Sequence, residues 1–97
     1  MISVLYVDDE EPLLHLGKTF LERYSPDIRV DTAPSAQKAL EMLLSGKYDA
    51  IVSDYQMPGM DGIALLREIR SGGSNIPFIV FTGKGREEIV IQAINYG

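Results

Sequence analysis

Val4-Leu5-Tyr6-Val7-Asp8-Asp9 and Ala50-Ile51-Val52-Ser53-Asp54 share one plan: a short apolar run that ends in acid. Runs this brief and this continuously apolar suit strands covered on both faces, as in a parallel sheet. Placed side by side and pointing the same way, the two strands deliver Asp8, Asp9 and Asp54 to one end of the sheet. Like charges at that spacing repel, and burial adds a desolvation cost. A hard divalent cation offsets both, and an all-oxygen donor set suits Mg²⁺, with Mn²⁺ as the near alternative.

The rest of the chain repeats the strand-then-helix alternation. Ile2 to Val7 reads as the first strand and Glu11 to Tyr24 as a helix, with Pro12 in its first turn and Ser25-Pro26 at its end. Leu13, Leu16, Gly17, Phe20, Leu21 and Tyr24 fall at three- and four-residue spacing and are the expected inward stripe. Leu14 and His15 lie off that stripe, so a solvated His15 is expected rather than a phosphocarrier. Ile28, Val30 and Thr32 alternate with Arg29 and Asp31, which suits an edge strand. Ser35 is placed to cap a helix whose stripe is Ala36, Ala39, Leu40, Leu43 and Leu44, with Gly46 ending it. Asp49 to Ser53 forms the third strand. Asp61-Gly62 opens a third helix with Leu65, Leu66 and Ile69 inward and Gly72-Gly73 at its end. Phe78 to Phe81 is a fourth strand. Arg86 to Tyr96 is a fourth helix, with Glu87 and Glu88 near the positive end of its dipole.

Four βα units in succession imply an α/β fold with parallel strands, right-handed crossovers and helices on both faces. Ligands of such folds bind beyond the carboxyl ends of the strands. Asp8, Asp9, Asp54 and Thr82 all fall there. The 97 residues are expected to form one domain, 1–97. A net charge of −5 with scattered basic residues argues against nucleic acid as a partner. No apolar stretch approaches the ~20 residues of a membrane-spanning helix. The absence of cysteine excludes disulfides and thiolate metal sites. With no signal-peptide pattern after Met1, the expected location is the cytoplasm.

Taken together, these residues make the chain resemble a response-regulator receiver domain of two-component signalling, from Ile2 to Gly97. The likeness rests on Val7-Asp8-Asp9-Glu10, on Asp54 followed by Met57-Pro58-Gly59-Met60-Asp61-Gly62, and on Thr82-Gly83. The resemblance implies a flavodoxin-like, doubly wound sheet of strand order 2-1-3-4. It implies Asp54 as the phosphoacceptor, a carboxylate nucleophile that receives phosphate from a histidine kinase or phosphotransfer protein. It further implies Mg²⁺ held by Asp9, Asp54 and the backbone carbonyl of Gln56, with Asp8 acting through a water. Thr82 would be the switch residue, and Pro58, Gly59, Gly62 and Gly83 would shape the surrounding loops. A receiver of this kind is a phosphoacceptor that assists its own phosphorylation and dephosphorylation, rather than an enzyme with a separate substrate. The segment Thr82 to Glu88 also resembles archaeal receivers joined to sensor or kinase domains.

The chain departs from the family at its C-terminal end. Relatives continue into a fifth strand carrying a lysine and then a fifth helix, whereas this sequence stops at Tyr96-Gly97. Lys84 stands in a different motif position and supplies no catalytic lysine by resemblance. The strand Phe78–Phe81 would then be an apolar edge, which invites pairing with a second chain, so self-association through this edge is expected. Two other functions compete: an interaction module that no longer switches, and a Mg²⁺-dependent phosphohydrolase with an aspartyl nucleophile. The latter class places a second Asp two residues after the first, where this chain has Asp8-Asp9-Glu10. Gly83-Lys84-Gly85 lacks the spacing of a phosphate-binding P-loop.

Overall fold

The computed structural model describes residues 1–81 of the chain. In chain order the elements are β1 (Ile2–Val7), α1 (Glu11–Tyr24), β2 (Ile28–Ala33), α2 (Ala36–Ser45), β3 (Ala50–Asp54), α3 (Gly62–Ser71) and β4 (Phe78–Phe81). The strands form one sheet of order β2-β1-β3-β4. Every pairing is parallel, with Val4 opposite both Val30 and Ala50, and Ile51 opposite Phe78. This is the expected topology, with β2 at one edge and β4 at the other among the described residues. The fourth helix expected over Arg86 to Tyr96 lies outside the described residues.

Alternation along the strands sorts side chains to two faces. Leu5, Val7, Ala33 and Ile51 point to the face covered by α2 and α3. There they meet Ala36, Ala39, Leu65 and Ile69 in the main core. A smaller cluster of Ile63, Leu66 and Val80 extends it under β4. Ser35 Oγ accepts from the Lys38 amide at 3.1 Å and so caps α2, as its position suggested. Asp61 Oδ1 does the same for α3 through the Ala64 amide at 2.8 Å.

Two helical stripes differ from expectation. In α1 the buried residue is Leu14, with Gly17, Lys18 and Leu21 half-buried beside it. Leu13, Leu16, Phe20 and Tyr24 are exposed. The reason lies in the surface that α1 meets. Gly17 packs over the Tyr6 ring so closely that a Cβ there would stand 2.5 Å from Cζ. The glycine thus permits this side of the helix to approach the sheet, in place of the stripe with the larger apolar count. In α2, Leu44 is exposed at the carboxyl end, where the helix runs past the core that Ala36 and Ala39 occupy.

The free edge of β2 is sealed by α1. Val30 turns its backbone groups away from β1. Its amide donates to Glu22 Oε2 at 3.0 Å, and its carbonyl accepts from Lys18 Nζ at 2.6 Å. Lys18 also donates to Glu22 at 3.0 Å, closing the clasp. Unpaired edge groups are a template for another strand, and this pair removes one such site. The Val30 amide, followed by the Lys18 ammonium, holds the Glu22 carboxyl below its usual range. Its contribution to stability is therefore present above that range and lost as pH falls through the depressed value. We expect Glu22→Ala to lower the urea midpoint at neutral pH, with the difference from wild type closing in strong acid. Equal midpoints at neutral pH would show that the clasp is not stabilising.

Candidate metal and phosphoacceptor site

The register that sets Val7 opposite Ser53 brings the ends of β1 and β3 together. One carboxylate oxygen from each of Asp8, Asp9 and Asp54 lies within 4.8 Å of the others. Their environments differ. Asp8 is fully buried; its Oδ1 accepts the Glu10 amide at 3.0 Å, while Oδ2 has no hydrogen-bond partner among the described residues. Asp9 is exposed and Asp54 half-buried. The amides of Gln56 and Tyr55 donate to the Asp54 carboxylate.

Burial, followed by the charges of Asp54, Asp9 and Glu10, lifts the Asp8 carboxyl above its usual range against the pull of the Glu10 amide. Burial is likewise the main reason that Asp54 is raised. The Gln56 and Tyr55 amides oppose it, and Asp9 and Glu10 add to it. A buried oxygen without a donor, set among three converging acids, is the electrostatic signature of a site that a hard cation completes. The donor set fits Mg²⁺: oxygen only, few in number, and open on the Asp9 side.

The loop after Asp54 holds this geometry in place. Tyr55 donates its amide to the Phe81 carbonyl at 3.0 Å, which ties the end of β3 to β4. Met57 is buried in the main core. Pro58 and Gly59 form the exposed turn, and Gly59 has φ of +79°, which only glycine adopts freely. Gly62 donates to the Tyr55 carbonyl at 2.9 Å, and a Cβ at this position would collide with the Asp54 carbonyl oxygen. Thr82 and Gly83 lie outside the described residues.

The Tyr6 phenol is raised by burial first, then by the charges of Asp8 and Asp54, and its ring lies 5.6 Å from that of Phe81. Its position at the end of β1, two residues before Asp8, is the signal in the sequence.

Comparison with known proteins identifies the family and agrees with the fold. The family model described as "Response regulator receiver domain" matches residues 4–97. The chain belongs to that family, whose members serve in two-component signal transduction and are generally phosphoacceptor domains. The transcriptional regulatory protein ResD of Bacillus subtilis is 36% identical over 95 residues, which is 98% of this chain and 38% of ResD. The transcriptional regulatory protein SrrA of Staphylococcus aureus is 34% identical, also over 98% of this chain and 38% of its own length. This chain thus spans well under half of these relatives. Among solved structures, the receiver domain of the Francisella response regulator 1452 superposes with a TM-score of 0.89 at 31% identity. That match covers all of this chain and 78% of the Francisella one. FixJ-N gives a TM-score of 0.85 at 32% identity, over all of this chain and 76% of its own.

Two outcomes follow from the site. Because the folded protein favours protonated Asp54, its ionisation destabilises the metal-free fold as pH rises through the raised value. We expect Asp54→Asn to melt higher than wild type at neutral pH without divalent ions. That advantage should shrink in acid, and Mg²⁺ should raise the melting temperature of wild type alone. A variant that melts no higher and still responds to Mg²⁺ would contradict the electrostatic account. We also expect Gly62→Ala to cost about 1–3 kcal/mol in urea unfolding through overpacking against the strand end. A change under about 0.5 kcal/mol, the range of inconsequential surface substitutions, would contradict the close approach.

Proposed function

We propose that this chain accepts a phosphoryl group on Asp54 and holds it as a signal. The observation that carries the reading is the Asp8–Asp9–Asp54 cluster with its unpartnered buried oxygen. An Asp54 carboxylate oxygen attacks phosphorus as the bond to the donor's histidine nitrogen breaks. The product is an aspartyl phosphate and a free imidazole. Water later cleaves the acyl phosphate slowly, so the chain assists its own phosphorylation and dephosphorylation and has no separate substrate.

Mg²⁺, or Mn²⁺ in its place, would be held by Asp9, Asp54 and the Gln56 backbone carbonyl, with Asp8 acting through a water. When bound, such an ion neutralises charge that develops on the phosphoryl oxygens. The Gln56 and Tyr55 amides favour the ionised Asp54 carboxylate, which stands half-buried beside the buried Asp8. In this reading Thr82 is the switch residue, whose hydroxyl senses the phosphoryl group, with Gly83 beside it. The partner is a cytoplasmic histidine kinase or phosphotransfer protein.

The test is incubation with Mg²⁺ and a small phosphodonor such as acetyl phosphate, followed by intact mass. One phosphoryl adduct on wild type, absent from Asp54→Asn and dependent on the divalent ion, is the expected result. No adduct would favour an interaction module that does not switch. Catalytic turnover of a generic phosphatase substrate would favour a phosphohydrolase.

A further inference from the structure

A cavity of about 760 Å³ opens between the carboxyl ends of α2 and α3, where the chain enters β3 and β4. This is the end of the sheet opposite the acid cluster, so the cavity is separate from that site. All of its lining residues lie within 1–81, and its volume falls in the range of roughly 300–1,000 Å³ that small-molecule sites occupy. Leu40, Leu43 and Ile76 form an apolar floor against Ile69 of the main core. Tyr48 makes one wall. Its phenol donates to Asp31 Oδ2 at 2.8 Å, and its ring stands so close to Gly46 that a Cβ there would lie 3.1 Å from Cε2. The ring is thus held from two sides.

We propose that this cavity binds a small organic cation, an ammonium group carried on an aliphatic or aromatic body. Charge at the rim selects the head group. Asp49 and Glu68 are exposed there, and Asp49 Oδ2 accepts the Ser3 amide at 2.8 Å. The ion pairs among the described residues join Lys18 to Glu22, Arg29 to Asp31 and Lys38 to Glu41, which leaves both rim acids without a basic partner. Lys47 is the single basic residue of the lining. The C-caps Gly46 and Gly72 also line the cavity, so two helices turn the negative ends of their dipoles to it. α2 has no basic residue in its last turn, and Arg70 in the last turn of α3 donates to the Ser74 carbonyl at 3.1 Å. The Tyr48 ring adds an aromatic face, which attracts cations. The same charges disfavour other occupants of an apolar groove. A fatty acid would set its carboxylate beside Asp49 and Glu68, and a second copy of a chain with net charge −5 would bring two such rims together. The proposal is independent of the phosphoryl reading.

The probe is n-octylammonium chloride, titrated into the isotope-labelled full chain at constant ionic strength and followed through the amide chemical shifts. We expect saturable shifts at Leu43, Gly46, Gly72 and Ile76, and none at Asp54 or Tyr55. Octanoate at the same concentrations should not saturate those amides. Glu68→Lys with Asp49→Asn, both at exposed positions, should weaken octylammonium binding about tenfold and leave the far-ultraviolet spectrum unchanged. Asparagine at position 49 keeps an acceptor for the Ser3 amide. If the double variant misfolds, the ranking of octylammonium over octanoate on the wild type alone decides. Octanoate that binds as tightly as octylammonium, or a folded double variant that binds octylammonium unchanged, would overturn the cation assignment. Shifts that never saturate, or that appear at the acid cluster instead, would overturn the site itself.

Discussion

Parallel pairing of β1 with β3, in the register that sets Val7 against Ser53, is the constraint from which the site follows. Two strands running the same way must end at the same side, so their terminal acids converge with no loop to separate them. A slip of one residue would turn every β3 side chain to the opposite face. Leu5, Val7 and Ile51 make that slip costly, because each is fully buried under α2 and α3. Apolar packing on one face thus holds charged groups together at the sheet's end against their own repulsion. The site's electrostatic cost is borne by the core.

The loop from Tyr55 to Gly62 is the second half of that arrangement. Its backbone supplies what the acids lack, namely amide donors aimed at Asp54. The loop keeps its shape through two glycines with different duties. Gly59 supplies a left-handed turn, and Gly62 lets the start of α3 pass against the Asp54 carbonyl. Met57 then pins the loop to the core. Preorganised donors of this kind cost little reorganisation when charge develops on the carboxylate's partner.

Much of this was readable from residue order. Apolar runs ending in acid gave β1 and β3, and the alternation of Ile28 to Thr32 gave the edge strand β2. Ser35 and Asp61 announced the starts of α2 and α3. The acid cluster was readable because topology, not side-chain detail, brings it together. What periodicity could not decide was the seating of α1. Two overlapping stripes share Gly17 and Leu21, and counting apolar residues selects the one with Phe20 and Tyr24. Contact with a specific neighbour selects the other: Tyr6 needs a glycine above it, and Val30 needs Lys18 and Glu22 at the edge. Pairwise fit between elements is not encoded in the spacing of one helix.

The seating of α1 also links features that look separate in sequence. Gly17 rests on Tyr6, Tyr6 contacts Phe81, and the Phe81 carbonyl receives the Tyr55 amide next to Asp54. The covered half of the α1 face is therefore one continuous packed path from helix to acid site. The uncovered half begins where that path stops, at Ile79 and the outward flank of α1. A helix drawn toward β2 by its polar clasp cannot also shield β3 and β4, because a helix with its side chains is only about 10–12 Å across. Among the described residues, α1 therefore covers only the β2 side of this face.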